Sequence, residues 1–294
     1  MLKQTLTFQS AVSLSLKERQ LVIIPVGDDT TITRPIEDIG VVVVENQMVR
    51  FTVPLLNALA ENNVAVVFCD ATSMPRSILM SLDGNTTLQE IHRAQIEAGE
   101  PAKKRAWKQI VESKIKNQSL LLESLGLSGA PLRSLLAGVK SGDPDNREGR
   151  AARLYWSQIF GPGFRRDRNG EPPNGLLNYG YSILRAAVIR ALVGSGLYPA
   201  FGIFHRNRYN AFPLADDIME PYRPMVDAIV YDLYSKGCLM LRKEEKMTLQ
   251  RVLVCDVAMG EVTRPLQVAL SMTTASLAKY YKGDTDKLQL PVLK

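Results

Sequence analysis

The hydrophobic pattern of this chain changes period near residue 84, and that change limits what the chain can fold into. Before it, Leu6 and Phe8 alternate with Thr5 and Thr7, and Val12, Leu14 and Leu16 alternate with Ala11, Ser13 and Ser15. A period of two suits half-buried strands, because successive side chains leave a strand on opposite faces. Leu21 to Ile24, Val41 to Val44 and Val64 to Cys69 add further short apolar runs, and Leu55, Leu56 and Leu59 mark one helical face within residues 53–62. A small sheet with one helix is therefore predicted for residues 1–84.

Beyond Gly84 the apolar residues recur at three- and four-residue intervals instead. Leu177, Ile183, Leu184, Ala187, Val188, Ala191 and Leu192 predict a helix over 176–193, and similar spacing predicts helices over 226–234 and 261–281. Thr87 and Glu90 have the spacing of a capping box that would open a long amphipathic segment. Residues 161–175, punctuated by glycine and proline, read as a loop. The predicted class is α+β with two domains: a small β-rich domain over 1–84 and a larger, mostly α-helical domain over 85–294.

Charge is divided unevenly between the two parts. Residues 1–84 carry six Lys/Arg against nine Asp/Glu, a net of −3, so the remainder carries +9 to reach the chain's +6. A net positive domain attracts polyanions, with DNA or RNA the commonest. Cys69, Cys238 and Cys255 lack metal spacing and are odd in number, which leads us to expect a reduced cytoplasmic setting. The first residues lack the charged and apolar regions of an export signal, and no segment approaches the uninterrupted apolar length of a membrane span, so no membrane association is expected. The absence of P-loop, dinucleotide, zinc-protease and serine-hydrolase motifs argues against nucleotide hydrolysis and zinc proteolysis.

Three places carry candidate chemistry. Glu148 lies early in a helix and is related to Ala152 and Tyr155 by four- and three-residue steps, which directs its carboxylate toward the apolar side, where it needs a cation. His205 is one of two histidines and is followed by Arg206, Asn207 and Arg208; the two arginines are expected to depress its pKa toward the neutral form that metals require. Asp216, Asp217 and Glu220 would share a helical face, where either a divalent ion or Arg223 must offset their repulsion. Two carboxylates and an imidazole suit Mg2+ or Mn2+ and metal-assisted phosphate chemistry. Lys103, Lys104, Arg105, Lys108, Lys114 and Lys116 form a basic helical stretch around Trp107, with a solvated face and a DNA contact as its two readings. His92 is assigned a structural role.

The segments Ile39–Glu45, Leu59–Asp70, Trp107–Ile110, Lys114–Gln118, Glu148–Trp156, His205 and Asp217–Pro224, in that order, resemble the CRISPR-associated adaptation integrase family in its short type II form. The resemblance covers most of the chain. It implies an N-terminal β-rich domain for dimerisation and partner contacts, and a homodimer. Two such dimers would flank a dimer of a small ferredoxin-like adaptation protein in a heterohexamer that holds captured double-stranded DNA and meets the CRISPR repeat, with other type II adaptation proteins as further partners. It places three catalytic metal ligands on Glu148, His205 and Glu220, with Mg2+ or Mn2+ as the ion and Asp217 behind them. Many relatives carry aspartate at the third position, so glutamate here lengthens the reach by one methylene. Arg206, Arg208, Lys103, Lys104 and Lys108 are then candidate phosphate contacts. The competing readings are a non-catalytic DNA-binding scaffold, in which the acidic residues only tie down Arg223, and a structure-selective nuclease acting on branched DNA in repair.

Overall fold

The computed structural model describes residues 3–28, 30–81 and 85–294, which divide into two compact units, 1–86 and 87–294. The boundary expected at residue 84 falls on a position outside the described residues.

The first unit contains two four-stranded sheets rather than the single small sheet predicted. In one sheet, β1 (Gln4–Phe8), β5 (Ile39–Val44) and β7 (Ala65–Cys69) run parallel, and β8 (Pro75–Leu79) is antiparallel at the edge. In the other, β4 (Ile32–Pro35), β3 (Gln20–Pro25) and β2 (Val12–Lys17) form an antiparallel meander that β6 (Arg50–Phe51) joins in parallel. α1 (Val53–Glu61) makes the crossover between β6 and β7. Val41 to Val44 are all buried, as expected for a central parallel strand covered on both faces. Leu14 and Leu21 of one sheet, Val42 and Val66 of the other, and Leu55 and Leu59 of α1 share one core. The hydrophobic pattern does not reveal β4, β6 and β8, because they are short and carry no clean alternation.

The second unit is helical, as predicted. Its elements are α2 (Leu88–Glu97), α3 (Glu100–Ser124), α4 (Ala130–Leu136), α5 (Arg147–Ile159), α6 (Asn174–Gly194), α7 (Pro213–Met219), α8 (Arg223–Ser235), α9 (Lys243–Gln250) and α10 (Leu266–Lys282). α6 is long and apolar enough by composition to cross a membrane, but it is a core helix: 78% of its apolar window is buried within the protein. Two expectations need correction. The Thr87 side chain forms no cap bond, and Glu90 pairs with Lys282 instead, 2.7 Å away, so the capping box is not made. The helix predicted from Glu261 starts only at Leu266, because residues 262–265 form β10 (Val262–Pro265) against β9 (Asp256–Met259), which also pairs with β11 (Val292–Leu293). Pro265 cannot donate a helical hydrogen bond, and it caps α10 from outside.

α3 is the axis on which the candidate site is built. Trp107, Ile110, Val111, Lys114, Ile115, Gln118, Leu121 and Leu122 form its buried stripe. The chain's C-terminal segment lies along the same helix: Gln109 bonds Asp286 and Leu288, Ser113 bonds Pro291, and Asn117 bonds Pro291 and Leu293.

Candidate active site

Four segments meet at the buried face of α3. The first is the N-terminus of α5. Asp143 accepts hydrogen bonds from the amides of Arg147 and Glu148, both at 2.9 Å, and Asn146 accepts one from Gly149 at 3.2 Å. These acceptors satisfy the orphan donors of the first turn and fix its direction. Ala151, Tyr155 and Ile159 bury one face of α5, and Glu148 starts that same face with its side chain 27% exposed. The inward carboxylate expected at Glu148 is therefore observed. Its cation is Lys114, whose ammonium donates to Oε1.

The second segment is the turn Glu220–Tyr222, a tight helical turn between α7 and α8. Asn117 of α3 holds this turn by donating to the Pro221 carbonyl at 2.8 Å. Glu220 is buried, with Oε1 accepting from Arg223 Nε at 2.8 Å and Oε2 lying 2.5 Å from Lys114 Nζ. That second contact is a buried ion pair, and Lys114 is the cation that faces Oε2. Burial alone would raise the pKa of Glu220, but Arg223 and Lys114 outweigh it and bring it down to about 2. Burial likewise disfavours the Lys114 ammonium, and the carboxylates of Glu220 and Glu148 overcome this to hold its pKa above the ordinary lysine value.

The third segment is the loop ending at His205. Asp217, fully buried on α7, accepts from the amides of Ile203 at 2.6 Å, Phe204 at 3.1 Å and His205 at 3.2 Å. Its Oδ1 also lies 2.6 Å from His205 Nδ1. An ionised carboxylate only accepts, so Nδ1 carries the proton and Nε2 is left with its lone pair when the ring is neutral. A carboxylate behind an imidazole is the arrangement that orients a metal-binding histidine. Gly202 permits this loop, since a Cβ there would sit 2.5 Å from the His205 carbonyl oxygen. Trp107 of α3 stacks on Phe204 at 4.3 Å and meets the His205 ring edge-on at 5.8 Å.

The fourth segment is α8 behind Glu220. Arg223 lies 4.5 Å from the ring centre of Tyr181, and the Tyr155 and Tyr181 hydroxyls both donate to Asp227, at 2.8 Å for Tyr155. Asp227 is buried, and its pKa is pushed up to about 6 by desolvation, against the opposing pull of the two hydroxyls. This triad ties α5, α6 and α8 together beneath the two carboxylates.

Two expectations about charge are overturned. Arg206 and Arg208 do not depress His205: Arg206 makes a two-pronged pair with Glu100 at 2.7 and 2.8 Å, and Arg208 bonds the Tyr209 hydroxyl at 2.6 Å. The His205 pKa is raised instead, first by its bond to Asp217 and then by the charges of Asp217, Glu220 and Asp216, with burial opposing. Asp216, Asp217 and Glu220 also do not act as one face. Asp216 pairs with Arg185 at 2.6 Å and Asn210 at 2.6 Å, Asp217 serves His205, and Glu220 serves Lys114 and Arg223.

The structure thus brings Glu148 and Glu220 to one ammonium and sets His205 against Asp217. Among the described residues, no three His, Cys, Asp or Glu side chains close around a single point as a metal cage. Lys103 and Lys104 lie on the outer side of α3 with Lys108, which pairs with Glu112 at 3.6 Å. His92 packs edge-on against Tyr198 at 5.7 Å. Sequence reasoning missed Lys114, which it counted with the basic face. The signal was present: Lys114 follows Trp107 by seven residues and Ile110 by four, the spacing of the apolar stripe.

Comparison with known proteins settles the family of the chain. Residues 6–254 match the family described as CRISPR associated protein Cas1. This chain belongs to the Cas1 family. A CRISPR-associated endonuclease Cas1 from Neisseria meningitidis serogroup C is 41% identical over 238 residues, covering 80% of this chain and 77% of that protein. The fold matches a casposase bound to its integration product with a TM-score of 0.80 at 20% identity, over 98% of this chain and 93% of the other. It also matches a chain of a Cas6-RT-Cas1–Cas2 complex with a TM-score of 0.74 at 22% identity, over 99% of this chain and 36% of the other. Both likenesses are of the fold and extend over nearly all of this chain, its β-rich first part and its helical second part.

Proposed function

We propose that this chain is a CRISPR adaptation integrase: a metal-dependent endonuclease and strand transferase that inserts captured foreign DNA as new spacers. The observation that carries this reading is that Lys114 of α3 pairs with both Glu148 and Glu220, while Asp217 lies behind the His205 imidazole. Family membership and relatives named as Cas1 endonucleases support it.

The residues fit a hard divalent cation. Two carboxylates and an imidazole are its donor chemistry, Asp217 orients the imidazole through Nδ1, and Glu220 Oε2 is a buried carboxylate oxygen that faces the Lys114 ammonium. Glu148, His205 and Glu220 would hold Mg2+ or Mn2+, which supplies charge neutralisation at a scissile phosphate and helps activate an attacking oxygen. Arg223 keeps Glu220 ionised and aimed, and the Asp143 and Asn146 caps keep Glu148 at the mouth of the site. In integration the 3′-hydroxyl of the captured strand attacks a repeat phosphodiester; its new P–O bond forms as the repeat's own bond breaks. No protein nucleophile is required.

The wider reading follows the family. The chain acts in the cytoplasm as a homodimer, two dimers flanking a small ferredoxin-like partner in a heterohexamer that binds double-stranded DNA. One structural neighbour is described as a Cas1–Cas2 complex, which supports partnership with a second adaptation protein.

The deciding assay combines a labelled DNA fragment, a repeat-bearing plasmid, and Mg2+ or Mn2+ against a chelator. Integration that needs the ion and disappears in Glu148→Ala, His205→Ala and Glu220→Ala supports the proposal. Integration that persists in chelator or in all three variants defeats it. The Glu220–Arg223 pair is what a DNA-binding scaffold would also contain; retained DNA binding with no strand transfer under any metal would favour that reading. Cleavage of branched DNA indifferent to repeat and partner would instead favour a repair nuclease.

DNA contacts are tested by salt dependence. Replacing Lys103, Lys104 and Lys108 together with alanine is expected to lower the slope of log Kd against log salt by about 0.9 for each phosphate that these side chains neutralise. The Arg206→Ala and Arg208→Ala pair is expected to act in the same direction. An unchanged slope for either set removes it from the interface.

A further inference from the structure

Lys114 is a buried cation on the apolar stripe of α3, 9% exposed, and its ammonium contacts both carboxylates assigned to the metal. Arg223 contacts only one of them and is fixed: its guanidinium lies over the Tyr181 ring while Nε donates to Glu220 Oε1. Arg223 thus holds Glu220 Oε1 while Lys114 faces Oε2, so an ion that reaches Oε2 and Glu148 together meets the Lys114 ammonium.

We propose that Lys114 is the internal counter-ion of the Glu148–Glu220 pair and that a divalent cation binds by displacing its ammonium, the two being alternative occupants of one position. This inference rests on the metal-site reading above. Charge makes coexistence costly: with Lys114 and Arg223 both in place, a +2 ion would set four positive charges against the two carboxylates. Stiffness decides which cation leaves. The planar, stacked fork of Arg223 is pre-organised where it lies, whereas lysine carries a compact charge on a flexible four-carbon stem. Glu148 marks the open side of the site, at 27% exposure against 7% for Glu220, so the ammonium swings outward past Glu148 and stands at the mouth as a donor for a DNA phosphate. Without the ion, Lys114 keeps the two carboxylates from repelling each other; with it, the same carboxylates are already positioned.

The test is Mn2+ binding by calorimetry to the intact protein, its Lys114→Met variant and its Glu148→Gln variant, without DNA. Removing the competitor is expected to tighten Mn2+ binding by about tenfold, while Glu148→Gln weakens it by a similar factor. If wild type binds and Glu148→Gln weakens binding but Lys114→Met leaves the Kd unchanged or raises it, Lys114 is not a competitor and this inference fails while the metal site stands. If no form binds Mn2+, the metal reading fails and takes the inference with it. A second measurement needs no variant: mass-spectrometric mapping of amine acylation on wild type. Lys114 is expected to be protected in chelator and several-fold more reactive in Mn2+, with the buried Lys246 unchanged as an internal reference. Equal or lower reactivity of Lys114 in Mn2+ overturns the proposal.

Discussion

Glu220→Ala is expected to lose strand transfer by about 10³-fold or more and also to destabilise the fold by roughly 3–5 kcal/mol, because it removes a proposed metal ligand and strands two buried cations. Glu220 is the shared partner of Lys114 and Arg223, and both lose their better-buried counter-charge with it. Glu148→Ala should match it in activity but not in stability. Glu148 is partly exposed and its carboxylate pairs with Lys114, which retains Glu220, so a cost of about 1 kcal/mol is expected. The two variants therefore separate what the carboxylates do for the reaction from what they do for folding. Integration rates and urea midpoints measured side by side would check it. A Glu220→Ala protein as stable as wild type would show that the buried ion pairs contribute little, and one with undiminished activity would remove Glu220 from the reaction.

The second large effect is expected at Asp227, which touches none of the proposed ligands. Asp227→Ala leaves the Tyr155 and Tyr181 hydroxyls buried without their acceptor, and at about 1–3 kcal/mol for each stranded group the loss should reach several kcal/mol. Its ionisation also gives the protein a pH signature. Burial sets the folded pKa at about 6, above the ordinary 3.8. Between these values the folded state holds a proton that the unfolded state has released, so stability falls as pH rises through the window, by up to about 3 kcal/mol. Glu220 has the opposite sign: lowered from 4.5 to about 2, it contributes stability above 4.5 that is lost as pH falls toward 2. Urea midpoints across pH 4 to 7 should decline for wild type and flatten in Asp227→Asn, which cannot ionise. A variant curve that tracks wild type would assign the dependence to other groups.

The site was legible where chemistry and local period coincide. Glu148 sits one turn before Ala151 and two before Tyr155, and a helix with that face buried turns its carboxylate inward whatever packs against it. His205 stood out by rarity and by its neighbours, though the neighbours misled. Reading Arg206 and Arg208 as field sources assumed that sequence adjacency means spatial adjacency, and in an extended loop these side chains leave in other directions, one to Glu100 and one to Tyr209. The acidic run 216–220 was similarly overread. Three carboxylates within five residues invited one shared ion, but the consecutive Asp216 and Asp217 diverge by about 100°, Glu220 falls in the tight turn beyond α7, and each found a separate partner.

What the sequence determined by itself was the switch from alternating to helical period, hence a β-rich first part and a helical second part, together with the ordered motifs that mark the family. Those are local properties, set by where successive side chains point along one strand or one helix. Only the tertiary structure decided which cation answers which anion. Lys114 meets Glu148 across 34 residues, Tyr155 meets Asp227 across 72, and Asn117 holds the Glu220 turn across 104. No periodicity encodes such pairs, because the cost of a buried charge or hydroxyl depends on what another element brings to it. A lysine at an apolar position shows in the sequence only that it will be buried; the packing of α5 and the Glu220 turn onto α3 is what makes it the cation between two carboxylates.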